Sequence, residues 1–213
     1  MRRTLICFAF LTALTLPAVS QDTSSSSNPK HTKKPPESTL DPGSFLNGVY
    51  RNKSLALSVK IPQGWVLRTE EMNSRAEQPP ADTRSPQSSA KVLLAAFSRP
   101  PEARAEDVNS SILIAAEPVS TYPGLKDAAQ YFGPLTEVAK AQGFALDEDP
   151  YEIAVGAKNL VRGDFHKDVG SRVMHQSTLG LLSHGYAVSI TIIAGTDDEV
   201  EDLIGNLSFG YGK

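Results

Sequence analysis

Cysteine is nearly absent from the chain, since Cys7 is the one thiol among 213 residues. It lies in an N-terminal segment that we predict to be removed, so the mature protein would hold no disulfide and no thiolate metal ligand. Small secreted domains often depend on disulfides, but a chain of this length can bury enough apolar surface to fold without them. The scarcity of cysteine therefore predicts a fold held together by an apolar core.

The chain also lacks an excess of positive charge. Its 21 lysines and arginines are outnumbered by 24 acidic residues, which gives a formal net charge of −3 at pH 7. Binding to nucleic acid depends on basic groups that neutralise phosphates. We therefore predict that the protein does not bind nucleic acid.

Long apolar runs are missing as well, with one exception near the N-terminus. Residues 4–16 form an uncharged apolar run that follows Arg2 and Arg3 and precedes the small residues around Ser20. The run falls short of the roughly 20 residues that a membrane-spanning helix needs, and the three-part pattern is that of a secretory signal peptide. We predict a signal peptide at residues 1–20 with cleavage after Ser20, no transmembrane anchor after cleavage, and a secreted or periplasmic protein.

No catalytic motif is recognisable in the sequence. It contains neither a Gly-x-Ser-x-Gly elbow nor a glycine-rich phosphate loop. A zinc site needs three or four ligands. In the best candidate set, which is Asp164 with His166 and His175, the two histidines are not expected to stand opposite each other if residues 167–171 form the turn. We therefore predict a non-enzymatic protein without a metal or a cofactor.

An extracytoplasmic hydrolase is the alternative that a few residues leave open. Ser183 stands beside His184, and Asp147, Glu148 and Asp149 offer clustered carboxylates of the kind used in acid–base catalysis. Adjacent residues of a strand point to opposite faces, which disfavours a dyad of Ser183 and His184. A solvated turn is the simpler interpretation of the three carboxylates.

Composition divides the rest of the chain into two parts. Residues 21–44 are rich in serine, proline and lysine, cannot bury enough apolar surface to offset their ordering entropy, and are predicted to be a disordered tether. Residues 45–213 fit one domain. Within this domain, polar stretches at residues 73–90 and 99–110 are predicted to be long loops, either functional or disordered.

Periodicity indicates where this domain forms strands and helices. An apolar stripe at residues 124–142, broken at Gly133 and Pro134, predicts a kinked helix or two short ones. Thr196 and Glu199 have the spacing of a capping box and predict the start of a last helix. Strands and helices in this order predict an α+β fold in which helices flank an antiparallel β-sheet. Strands are predicted at residues 55–61, 65–68, 91–98, 111–119, 151–164, 172–183 and 186–194.

Two stretches resemble the PsbP-like fold. The first, VYRNKSLALSVKIPQGW from Val49 to Trp65, is similar to the family's opening hairpin. The second, GYAVSITIIAGTDDEVEDLIGNLSF from Gly185 to Phe209, is similar to its last strand and closing helix. The fold is shared by the PsbP subunit of photosystem II, a Ran-binding nuclear-import factor, the bacterial protein DcrB and mycobacterial LpqN-type lipoproteins. The resemblance implies a PsbP-like sandwich and a small accessory or binding protein without catalytic residues.

These expectations combine into a secreted or periplasmic accessory module that engages a small ligand or a protein partner, itself an envelope or secreted protein. A carrier that holds an apolar ligand between the sheet and the kinked helix is a further alternative. The candidate binding surface comprises the two long loops and a groove around four aromatic residues, although burial tendencies favour core or edge packing for the same four. These are Tyr50, Trp65, Tyr122 and Tyr131.

Overall fold

Two antiparallel sheets and three helices make up the part of the chain that the computed structural model describes, which is residues 40–77, 90–103 and 107–210. The predicted signal peptide and residues 21–39 of the predicted tether lie outside the described residues. The smaller sheet has the strand order β1-β2-β3-β12. Its strands are β1 (Ser44–Leu46), β2 (Val49–Asn52), β3 (Leu57–Lys60) and β12 (Leu207–Phe209).

The larger sheet has the order β4-β5-β6-β11-β10-β9-β7, and β8 also pairs with β9. The predicted strands at residues 172–183 and 186–194 are confirmed. They are joined by a two-residue turn in which His184 and Gly185 both have positive φ angles. The strands of the larger sheet are β4 (Val66–Leu67), β5 (Lys91–Phe97), β6 (Ser111–Pro118), β7 (Ala145–Leu146), β8 (Tyr151–Val155), β9 (Lys158–Val169), β10 (Arg172–Ser183) and β11 (Tyr186–Ala194).

Helices α1 (Thr69–Glu77), α2 (Ala128–Ala141) and α3 (Asp197–Gly205) complete the described part. The predicted fold class, α+β with antiparallel strands and flanking helices, is thereby confirmed. None of the helices within the described ranges has the length and apolar character needed to cross a bilayer.

The predicted cap of α3 is confirmed. The hydroxyl oxygen of Thr196 accepts a hydrogen bond from the Glu199 backbone N–H at 3.2 Å. The Glu199 carboxylate accepts from the Gly195 N–H at 3.2 Å and from the Ser110 hydroxyl at 2.6 Å. The start of α3 is therefore hydrogen-bonded both to the residues just before it and to the segment that leads into β6.

The main core lies between the larger sheet on one side and α3 with the smaller sheet on the other. Ile112 and Ile114 of β6 and Ile190 and Ile192 of β11 all have 0% exposure. They project from one face of the larger sheet because alternate residues of a strand point the same way. The opposite face of the same strands carries smaller side chains, and α2 lies on that side.

Helix α2 packs on the larger sheet through one aromatic ring. Phe132 is 3% exposed and lies over Gly163 of β9 and Gly180 of β10. A Cβ atom at Gly163 would stand 2.6 Å from the Phe132 ring, and one at Gly180 would stand 2.9 Å from it. The absence of side chains at these two positions therefore creates the space that the ring fills.

The predicted loop at residues 73–90 is wrong at its start, because residues 73–77 belong to α1. The helix lacks an apolar stripe, and none of its described side chains is fully buried. It is attached instead by hydrogen bonds, since the Asn73 side chain donates to the Val92 carbonyl at 2.9 Å and accepts from the Val92 N–H at 3.0 Å. Residues 78–89 and 104–106 of the two predicted loops lie outside the described residues.

The folded part also begins earlier than the predicted boundary at residue 45. Leu40 is 7% exposed, and the Asp41 carboxylate accepts from the backbone N–H groups of Gly43 and Lys53 at 2.9 and 3.0 Å. These contacts fasten residues 40–44 to β2, although their composition alone resembles that of the preceding residues.

Of the two arrangements predicted for residues 124–142, the structure has the single helix, which begins at Ala128 and holds Pro134 inside it. Two further differences from the predictions concern turns. The predicted strand at 151–164 is a hairpin of β8 and β9, since Gly156 has a positive φ of 59° and allows the chain to reverse. The next turn is shorter than predicted, because β9 continues to Val169 and β10 begins at Arg172.

Candidate functional site

The four aromatic residues of the predicted binding surface do not share one surface. Tyr50 is 3% exposed and Tyr131 is 0% exposed, so both are core residues and their assignment to a surface is wrong. Burial raises the pKa of the Tyr50 hydroxyl to about 12. Trp65 is half-buried against the main core, whereas the rings of Tyr122 and Tyr131 meet edge to face with centroids 5.4 Å apart.

The larger sheet has one face that its helices cover incompletely. Helix α2 lies over β9 and β10, and α1 lies against β5. Between them, Leu113 and Ala115 of β6 are partly exposed, although both belong to an interior strand of the sheet. The space above these residues is a cavity of about 430 Å³, which we call the groove.

The groove has apolar walls, and small side chains form part of its floor. Val138 of α2 is 57% exposed, so it presents apolar surface along one wall. The small side chains of Ser189 and Thr191 leave depth above β11. The apolar lining consists of Met72, Ala90, Phe97, Leu113, Ala115, Leu135, Val138, Ala139 and Ile193.

One end of the groove holds a carboxylate clamped by two phenols. The Tyr122 hydroxyl donates to one oxygen of Glu117 at 2.7 Å, and the Tyr131 hydroxyl donates to the other at 2.9 Å. Burial, and then the neighbouring carboxylate, raise the pKa values of both tyrosines, so the phenols stay protonated and remain donors. Glu117 is the one charged residue lining the groove in the described part of the chain.

The floor of the groove carries a short chain of polar groups. The Gln176 side-chain amide donates to the Thr178 hydroxyl at 3.2 Å, and the Thr178 and Thr191 hydroxyls lie 3.3 Å apart. Gln176 and Thr178 are buried by α2 and their own sheet. These groups can orient a ligand by hydrogen bonding, and none of them is paired with a base that would activate a nucleophile.

The residues considered for hydrolysis lie away from the groove. Ser183 ends β10, and His184 follows it in the two-residue turn with a positive φ of 52°. Asp147 makes an ion pair with the Nδ1 atom of His166. These residues do not line the groove.

The two strand histidines stand directly opposite each other, because the turn after β9 is shorter than predicted. His166 bonds to Asp147, while the Nδ1 atom of His175 lies 2.6 Å from a carboxylate oxygen of Asp197 on α3. Asp164 is bound to Arg162 at 2.9 Å. Among the described residues, no three histidine or acidic side chains form a group that could hold a metal ion.

The pair of His166 and Asp147 predicts a measurable titration. The hydrogen bond that the His166 ring donates to the Asp147 carboxylate, and then the charge of that carboxylate, raise the pKa of His166 above the ordinary 6.5. A raised pKa means that the pair stabilises the fold below about pH 6.5 and that this contribution is lost as the pH rises through the folded-state pKa. In an NMR titration, Asp147→Asn should lower the His166 pKa, because the hydrogen-bond acceptor and its charge are removed while the smaller effect of Asp168 remains. An unchanged His166 titration in the variant would contradict this assignment.

Comparisons with known proteins identify no family by sequence. No protein-family model matches the chain, and no curated protein matches it. Solved structures do show similarity. LpqN of Mycobacterium tuberculosis, described as involved in cell envelope biogenesis, is 16% identical, with a TM-score of 0.35 over 71% of this chain and 82% of LpqN.

Two further solved structures are similar to the same extent. PA94, a protein of unknown function from Pseudomonas aeruginosa, is 15% identical, with a TM-score of 0.36 over 72% of this chain and 85% of PA94. The Ran-binding protein Mog1p of Saccharomyces cerevisiae is 12% identical, with a TM-score of 0.40 over 71% of this chain and 89% of Mog1p. At such identities and TM-scores, these similarities carry neither a family nor a function over to this chain.

Proposed function

We propose that the protein is a non-enzymatic binding module whose groove takes a small, largely apolar ligand. The observation that carries the proposal is the partly exposed apolar surface of Leu113 and Ala115 on an interior strand, beneath a cavity of about 430 Å³. Ligand pockets typically measure roughly 300–1,000 Å³, with mostly apolar walls and a few polar groups that fix orientation. The groove has this composition, and its polar groups include Glu117 and the hydrogen-bonded side chains of Gln176, Thr178 and Thr191.

A variant of the exposed wall residue tests the proposal. Val138→Asp places a charge where an apolar ligand would lie, at a position 57% exposed in the free protein. We expect it to weaken the binding of an environment-sensitive apolar dye about tenfold, since burying an unpaired carboxylate against apolar groups is unfavourable. Titration of purified protein with 1-N-phenylnaphthylamine, followed by fluorescence, measures this effect.

Val173→Asp is the matched control, because Val173 is an exposed valine of β10 outside the groove with 38% exposure. It introduces the same charge at a comparable surface position, and dye binding should stay within twofold of the wild type. Equal weakening by both substitutions, or no saturable dye binding by the wild type, would refute the groove as a binding site.

We propose in addition that the chain is exported, on the strength of the signal-peptide pattern at residues 1–20. N-terminal sequencing of the protein from a secreting host should begin at Gln21, and recovery with residues 1–20 intact would refute this.

A protein partner stays a second candidate. The observation in its favour is the edge strand β1, where Phe45 and Leu46 are 45% and 65% exposed. Affinity capture from an envelope extract with and without Leu46→Lys tests it.

A further inference from the structure

We infer that the ligand of the groove is an organic cation, namely a primary ammonium group on an apolar tail. This inference rests on the proposed function and adds the charge and chemical class of the ligand. It follows from the position, the hydrogen-bond partners and the surroundings of Glu117.

The first observation is the charge of the lining. Of the described residues around the groove, Glu117 alone is charged, so the described lining has a formal charge of −1. Apolar walls on both sides reduce the screening of this charge by water, which strengthens its attraction for a cation and its repulsion of an anion. A fatty acid or another carboxylate ligand is therefore disfavoured, although the walls alone would accept its tail.

The second observation is that the carboxylate is held in place before any ligand arrives. Each oxygen of Glu117 accepts one phenol hydrogen bond, from Tyr122 at 2.7 Å and from Tyr131 at 2.9 Å. An ionised carboxylate oxygen can accept more than one hydrogen bond, so each oxygen keeps capacity for a donor from the ligand. An ammonium group has three N–H donors and no acceptor, and it can complete the set without competing for the phenol protons.

The third observation is the ring of Tyr122 beside this carboxylate. Tyr122 lines the groove, and its ring packs edge to face on the buried ring of Tyr131. The face of an aromatic ring attracts a cation through its quadrupole. A cationic head bound at Glu117 would therefore meet an aromatic neighbour, while its tail would lie along Leu113 and Val138.

Three ligands of nearly equal size separate the contribution of charge from that of the tail. They are n-octylammonium, n-octanol and n-octanoate, each used to displace the bound dye from the full-length protein at pH 7. We expect n-octylammonium to bind roughly tenfold more tightly than n-octanol, as a charge-assisted hydrogen bond is about twice as strong as a neutral one. n-Octanoate should bind most weakly.

Glu117→Gln is the matching variant, because it keeps the shape of the side chain and one carbonyl acceptor but removes the charge. We expect it to abolish the preference for n-octylammonium over n-octanol, provided that a thermal melt shows a folded protein. The three-ligand series on the wild type decides the question even if this variant does not fold.

Different results would contradict the cation inference and the proposed function. Equal binding of n-octylammonium and n-octanol by the wild type, or tighter binding of n-octanoate, would overturn the cation inference and leave the groove as an apolar site. Failure of all three ligands to displace the dye, together with no effect of Val138→Asp, would overturn the proposed function itself.

Discussion

Replacing Phe132 by alanine is expected to lower the free energy of unfolding by about 3–5 kcal/mol, the range for removal of a buried phenylalanine. The ring lies above Gly163 and Gly180. Because glycine has no side chain, neither residue can fill the space that the ring leaves. A large residual cavity should therefore remain, which places the cost at the upper end of the usual range. Urea denaturation followed by circular dichroism measures the change.

Gly133→Ala provides the control in the same helix. Gly133 is the neighbour of Phe132 in α2, and a Cβ atom there would meet nothing within 4 Å apart from its chain neighbours. Alanine is favoured over glycine in a helix interior by roughly 0.5–1 kcal/mol, whereas Pro134 disfavours a helical backbone for a preceding residue that carries a Cβ atom. Because the two effects oppose each other, the free energy of unfolding should change by less than about 1 kcal/mol. A loss of less than about 1 kcal/mol for Phe132→Ala would show that α2 is not anchored by this ring.

Replacing Asn52 by alanine is expected to cost about 2–4 kcal/mol, because it leaves several buried groups without partners. Asn52 is 1% exposed. Its amide nitrogen donates to the Asp41 carbonyl at 2.6 Å and to the Tyr50 hydroxyl at 3.3 Å, and its carbonyl oxygen accepts from the Leu55 N–H at 2.9 Å. The side chain therefore joins the first described residues to β2 and to the turn that follows it.

Asn206→Ala is the control for Asn52, since both residues begin an Asn-x-Ser sequon. Asn206 is half-buried at the end of α3, so we expect a change within about 0.5 kcal/mol. The burial of Asn52 also predicts that the folded protein cannot be glycosylated there. Similar melting temperatures for Asn52→Ala and Asn206→Ala, or a glycan on Asn52 detected by mass spectrometry, would contradict this description.

Local patterns were sufficient to predict several elements. Strands β10 and β11 were bounded correctly because turn residues flank unbroken runs of strand-forming residues. The start of α3 was predicted from Thr196 and Glu199, whose spacing has a direct geometric meaning. By contrast, α1 lacks the apolar stripe that would identify it, since hydrogen bonds from Asn73 to β5 hold it in place.

The site was less predictable than the fold, because it depends on which face of a strand remains uncovered. An aromatic residue such as Tyr131 has the same local pattern whether it is buried or exposed. The small side chains at Ser189 and Thr191 were a usable signal for a central strand, but their closeness to Glu117 depends on the pairing of β11 with β6. The facing positions of His166 and His175 similarly depend on the length of one turn.

The two helices beside the groove are attached by different kinds of interaction, and this has a consequence for selectivity. Helix α2 is fixed by a buried ring, whereas α1 is joined to β5 by the side chains of Asn73 and Thr69, the latter accepting from the Ala95 N–H at 2.9 Å. An element held by hydrogen bonds, with few buried apolar contacts, opens locally at lower cost than one held by a packed ring. A ligand with a wider tail would therefore displace α1 and leave α2 in place. The proposed site should be selective for the head group of its ligand and should accept tails of different widths.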